Sequence, residues 1–87
     1  MKIKDGFIIR EVAGSFIVVA VGNAVKDFNG IVNLNETGAF LWKILEKGAN
    51  REELLAEMLK EYEVDEDTAR RDIDAFINKL QEAKLVL

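Results

Sequence analysis

Asp72 and Lys79 stand seven residues apart, two turns of an α-helix, so a helix carrying both would present them on one flank. A carboxylate so placed can make a charge-assisted hydrogen bond to a basic group or backbone donor of a ligand, with Lys79 on the same flank. Left to themselves they read as solvated charges. Little else in the chain invites covalent chemistry. Among 87 residues there is no histidine and no cysteine, and Ser15 is the only serine. The common nucleophile–base pairs and nearly all zinc sites therefore cannot be built. Carboxylate-only catalysis and a hard-cation site are what the composition leaves open. Most of the carboxylates, however, fall where a solvated helix face would put them.

The composition bounds the rest. About half the residues (49%) are apolar and 32% are charged, which suits one modest globular core, and residues 1–87 are expected to form a single domain. The net charge of −4, from 12 basic and 16 acidic residues, disfavours nucleic acid, whose binding rests on neutralising phosphates. No run approaches a membrane span, and "MKIKDGF" lacks the apolar core of a signal peptide. Without cysteine there are no disulfides, and the cytoplasm is the expected location.

The elements that would position these residues follow from periodicity. "FIIREV" (7–12) and "SFIVVAV" (15–21), separated by Ala13-Gly14, predict a β-hairpin. A polar connection from Gly22 to Gly30 carries Val25 and Phe28. "IVNL", Ile31 to Leu34, predicts a third, very short strand. Asn29-Gly30 is a turn signal and allows an alternative, a tight hairpin pairing Val25–Phe28 with Ile31–Leu34. After Leu34 the period changes to that of a helix. Asn35 suits an N-cap and Glu36 the first turn, and Leu41, Ile44 and Leu45 make a stripe widened by Phe40 and Trp42. Gly48 is placed to end this helix.

A second helix starts at Asn50, with Glu53 completing a capping-box pattern and Leu54, Leu55, Met58, Leu59 and Tyr62 as its stripe. A third starts at Asp65, with Ala69, Ile73, Phe76, Ile77 and Leu80 as its stripe and "LVL" following to cap the core. Three strands followed by three helices predict an α+β domain, a winged helix-turn-helix-like arrangement with a three-stranded antiparallel sheet ahead of the helices. Asp72 falls on the flank of the third stripe.

"LNETGAFLW", "KILEKG" and "REELLAEMLKEYEVDEDTARRDIDAFINKLQEAKLV" resemble the pyrroloquinoline quinone biosynthesis protein D (PqqD) family over nearly the whole chain. The most specific matches are Leu34-Asn35-Glu36-Thr37-Gly38, Trp42, Glu61 to Val64, and Asp72-Ile73 with Phe76 and Leu80. Family members often carry Gly-Leu near the end. Lys84-Leu85 stands here instead, so the last helix is free to end differently.

The resemblance implies a recognition element for ribosomally made peptides: a non-catalytic peptide chaperone without cofactor or metal. Such a domain binds the leader segment of a precursor peptide and delivers it to a modifying enzyme, often a radical S-adenosylmethionine (SAM) maturase. It further implies that the leader adds as a strand to the third strand's edge, at Ile31, Val32, Asn33 and Leu34, beside the third helix at Asp72, Ile73, Phe76 and Lys79. A monomer or weak dimer is expected. The competing readings are a winged-helix DNA-binding regulator and an edge-to-edge oligomerisation module. The first is disfavoured by Asp65, Glu66, Asp67, Asp72 and Asp74, which would repel phosphate from Arg70, Arg71 and Lys79.

Overall fold

A two-residue turn sets the first layer. Ala13 (φ 51°) and Gly14 (φ 82°) both adopt left-handed backbone, the twist that tight antiparallel hairpins require. They join β1 (Phe7–Val12) to β2 (Ser15–Ala20), paired from Phe7 with Ala20 to Val12 with Ser15. The computed structural model describes residues 1–26 and 30–87. A 3-10 helix spans Gly22–Lys26, and β3 (Val32–Leu34) then pairs antiparallel with β2, Phe16 opposite Leu34 and Val18 opposite Val32. The sheet order is β1-β2-β3.

β3 is shorter than expected by one residue. Ile31 precedes it and is 61% exposed. β2 likewise stops one residue early, at Ala20. The turn expected at Asn29-Gly30 lies outside the described residues in part, but Val25 belongs to the 3-10 helix and β3 takes β2 as its partner.

The three helices begin where their caps are. Asn35 accepts from the Gly38 N–H at 2.7 Å and opens α1 (Glu36–Leu45). Asn50 and Glu53 form a reciprocal capping box, at 2.8 and 3.0 Å, and open α2 (Arg51–Glu61). Asp65 accepts from the Thr68 N–H at 2.8 Å and opens α3 (Glu66–Glu82). Each such cap is worth about 1 kcal/mol. The Thr68 bonds hold the Asp65 carboxyl below its usual range.

The core lies between the sheet and the helices. Val18, Leu41, Trp42, Leu45, Leu54, Met58, Ile77 and Leu80 are all but inaccessible. The α3 stripe is buried in full, whereas Leu59, expected on the α2 stripe, is 40% exposed. It lies past the edge of the apolar arc, one residue beyond Met58. Trp42 is fully buried, and its indole N–H meets no acceptor among the described residues.

Two ion pairs across the helices tie α2 to α3: Arg51 with Asp74, and Arg70 with Glu52 at 2.9 Å. Arg70 also meets Glu66 at 3.1 Å. Its hydrogen bond and charge hold Glu52 below the normal carboxylate range, and the two carboxylates push the guanidinium's pKa further up.

α3 ends with Lys84 in left-handed backbone (φ 59°), where glycine would be usual. The Leu85 N–H bonds the Leu80 carbonyl at 2.9 Å and the Lys84 N–H bonds that of Gln81 at 3.0 Å. That pair of bonds is the Schellman pattern, so the helix ends as it would with glycine, in spite of the lysine. Leu85 is wholly buried, and Val86 bridges to Ile3, closing the core as "LVL" suggested.

Candidate functional site

β3 has one neighbour in the sheet and an open second edge. Backbone groups of an antiparallel strand alternate, one residue bonding its partner and the next turning its N–H and C=O away. Val21, just after β2, donates to the Gly6 carbonyl on the β1 side, so by alternation Phe16 and Val18 turn their polar groups to β3; Asn33, opposite Ile17, faces outward, and its carbonyl accepts from the Lys79 ammonium of α3. Val32 and Leu34 are then the residues that bond β2. Their side chains, half-buried and buried, turn to the core face, while the Asn33 side chain is exposed. The three residues therefore divide the work: two fasten the strand to the sheet, and one presents backbone.

Beside that edge runs a groove of about 270 Å³. Its apolar surface comes from Leu34, Leu41, Ala75 and Phe76, and its polar rim from Asn35, Thr37, Asp72 and Lys79. Gly38 lines it as well. A β-carbon there would stand 3.1 Å from the Asn35 Oδ1 that caps α1 and 3.4 Å from the Leu34 β-carbon, so a side chain at this position would press on the cap and make it give way slightly. The volume falls just under the roughly 300–1,000 Å³ of small-molecule sites and suits one or two amino-acid side chains.

The groove brings together Leu34, Asp72, Phe76 and Lys79. Val32 and Asn33 continue it along the strand. Asp72 makes no hydrogen bond or ion pair among the described residues, and its exposed carboxylate is available to a ligand. Ile73 is placed apart from these. It is 2% exposed and turns toward α2, near Arg51, Leu55 and Arg70. One residue along a helix is a rotation of about 100°, which moves Ile73 from the groove wall into the core. Ile31 lies before the strand with its side chain in solvent.

Sequence reasoning passed over Ala75, Thr37 and Leu41 as groove residues. Ala75 was detectable, since it lies three after Asp72 and four before Lys79 on the same face. A second, more open depression between α1 and α2 is rimmed by Lys43, Lys47, Glu53 and Glu57 and holds none of the expected peptide-binding residues. Among the described residues no group of acidic side chains is arranged to hold a metal, and no helix is long and apolar enough to cross a membrane. Of the basic side chains on α3, Arg70 is engaged by Glu52 and Glu66, and Lys79 by β3.

Solved structures share this architecture. A structure of TbiB1 in complex with the TbiA(beta) leader peptide is 26% identical, with a TM-score of 0.76 over 98% of this chain and 93% of that one. The fold of a lasso peptide synthetase B1 complexed with the leader peptide is also similar, at 22% identity and a TM-score of 0.75 over 99% and 95% of the two chains. No curated protein matches the chain in sequence. The family described as coenzyme PQQ synthesis protein D matches residues 15–86, from the start of β2 to the end of the core-closing "LVL" bridge. With the sheet, the three capped helices and the matched span in agreement, the chain belongs to the PqqD family.

Proposed function

We propose that this protein is a single-domain, non-catalytic peptide chaperone. It binds the leader segment of a ribosomally made precursor as an added strand on β3 and presents the precursor to a modifying enzyme in the cytoplasm. A radical SAM maturase is the partner that the family resemblance suggests. The observation that carries the reading is the coincidence of an open strand edge with an apolar groove at its side, floored by Leu34, Leu41 and Phe76 and rimmed by Asp72. The leader-peptide complexes of two proteins with this fold support the same reading.

Backbone pairing supplies generality and the groove supplies choice. The two bonds available at Asn33 are worth about 1–3 kcal/mol net. One apolar side chain seated on Phe76 and Leu41 adds about 1.5–3 kcal/mol. Association costs several kcal/mol, so useful affinity needs both.

Asn33→Pro tests the reading directly. Proline removes the outward N–H and sets its ring against an incoming strand, yet it is tolerated on an edge because that N–H is not used by β2. A displayed library of random twenty-residue peptides is selected on the wild-type protein, and enriched peptides are measured by calorimetry. At least about tenfold weaker binding to a variant that keeps its melting temperature is expected, equivalent to the loss of about 1.4 kcal/mol. Equal affinity of the enriched peptides for wild type and Asn33→Pro would refute strand addition.

A further inference from the structure

Lys79 occupies the one outward carbonyl of β3. That carbonyl is the acceptor an added strand needs, so an arriving peptide N–H competes with the ammonium for it. Resting on the strand-addition reading, we propose that Lys79 is handed from Asn33 to a carboxylate of the incoming peptide. The site would therefore select an extended segment with an Asp or Glu two positions from an apolar residue.

The spacing follows from the pleat. The peptide residue opposite Asn33 points its side chain the way Asn33 does, into solvent. Its two neighbours point to the core face, one alongside Leu34 and the other alongside Val32. The neighbour beside Leu34 meets the apolar groove. The neighbour beside Val32, two residues away, is the other core-facing position that flanks Asn33, where the Lys79 ammonium is held.

The freed ammonium has three donors and no acceptor of its own. Asp72 is seven residues back along α3, about 10 Å away at 1.5 Å per residue. A backbone carbonyl of the peptide would accept one bond without balancing the charge beside an apolar floor. A carboxylate does both, and charge-assisted bonds are roughly twice as strong as neutral ones. Before a peptide arrives, the same lysine keeps the edge acceptor satisfied.

The test uses the same displayed random library, selected in parallel on wild type, Lys79→Glu and Lys79→Met. Wild-type peptides are expected to share an acidic residue two positions from an apolar one, and Lys79→Glu peptides a Lys or Arg at that position. Replacing the acidic residue by its amide in a wild-type-selected peptide should weaken binding about three- to tenfold in low salt, the range for a part-exposed charge pair, and leave Lys79→Met binding unchanged. No charge preference at that spacing, or the same preference from wild type and Lys79→Glu, would overturn the hand-over while leaving strand addition intact. Peptides that bind Asn33→Pro as tightly as wild type would overturn both. Lys79 is exposed, and melting curves of the variants confirm that affinity is compared between folded proteins.

Discussion

Lys84→Gly should leave the protein more stable than Lys84→Ala does. Lys84 holds left-handed backbone at φ 59° because the two bonds that close α3 require it and because the next residue, Leu85, is wholly buried. A residue with a β-carbon spends about 1–2 kcal/mol to adopt that conformation. Glycine does not, but it gives up about 0.5–1 kcal/mol through the greater freedom of its unfolded chain. The lysine charge adds a further complication, since a cation near a helix C-terminus contributes about 0.3–1 kcal/mol. Lys84→Ala removes the charge and keeps the β-carbon, so the glycine and alanine variants differ in the backbone effect alone. The difference should be about 0.5–1 kcal/mol, which for a domain of this size is about 2–8 °C in melting temperature. Far-ultraviolet circular dichroism during heating, checked by calorimetry, measures it. Equal melting of the two variants would refute the reasoning, because the left-handed strain would then be absent.

Other outcomes follow from the same geometry. Asp72→Asn should weaken binding of library-selected peptides about tenfold where the carboxylate meets a peptide donor in the groove, without lowering the melting temperature; calorimetry and thermal melts separate contact from fold. Gly38→Ala should forfeit the roughly 1 kcal/mol that a helix usually gains from this change, because the new methyl crowds the Asn35 cap; denaturant unfolding measures this. The carboxyls of Asp65 and Glu52 are both depressed in the folded state, so their contribution is present above the unfolded carboxylate range, near pH 4, and is lost as pH falls through their lower folded values. Melting temperature should therefore drop on acidification below about pH 4, and less steeply in Asp65→Asn, which keeps a capping oxygen. Library-selected peptides incubated with the purified protein alone should keep their mass, and turnover without a partner enzyme would contradict a purely binding role.

The parts of the fold set by neighbours in sequence were legible in it. Asn35, Asn50 and Asp65 cap the helices they precede because a cap involves only residues three apart. The α3 stripe was readable for the same reason. Features that depend on distant segments were not. The choice between a hairpin at Asn29-Gly30 and pairing with β2 rests on contacts between distant segments, from Leu34 with Phe16 to Val32 with Val18. Leu59 has the residue type of a core position, and only the placement of α2 decides its exposure. At the groove, Asp72 and Ile73 are consecutive and belong to the same sequence motif, yet the helical rotation between them sends one to the rim and the other beneath α2. Lys79 and Asn33 are separated by 46 residues, and nothing local to either signals that they meet.

Trp42 is the only tryptophan in the chain, fully enclosed, with an indole N–H that meets no acceptor among the described residues. An indole so enclosed has little around it that can relax about its excited-state dipole. Its emission should lie toward the blue, stay out of reach of aqueous quenchers, and move to the red when the core opens. Its neighbour Leu41 forms part of the groove wall, so a side chain entering the groove presses on a residue adjoining the fluorophore. The protein thus carries its own optical probe, read without a label, for unfolding and for filling of the groove.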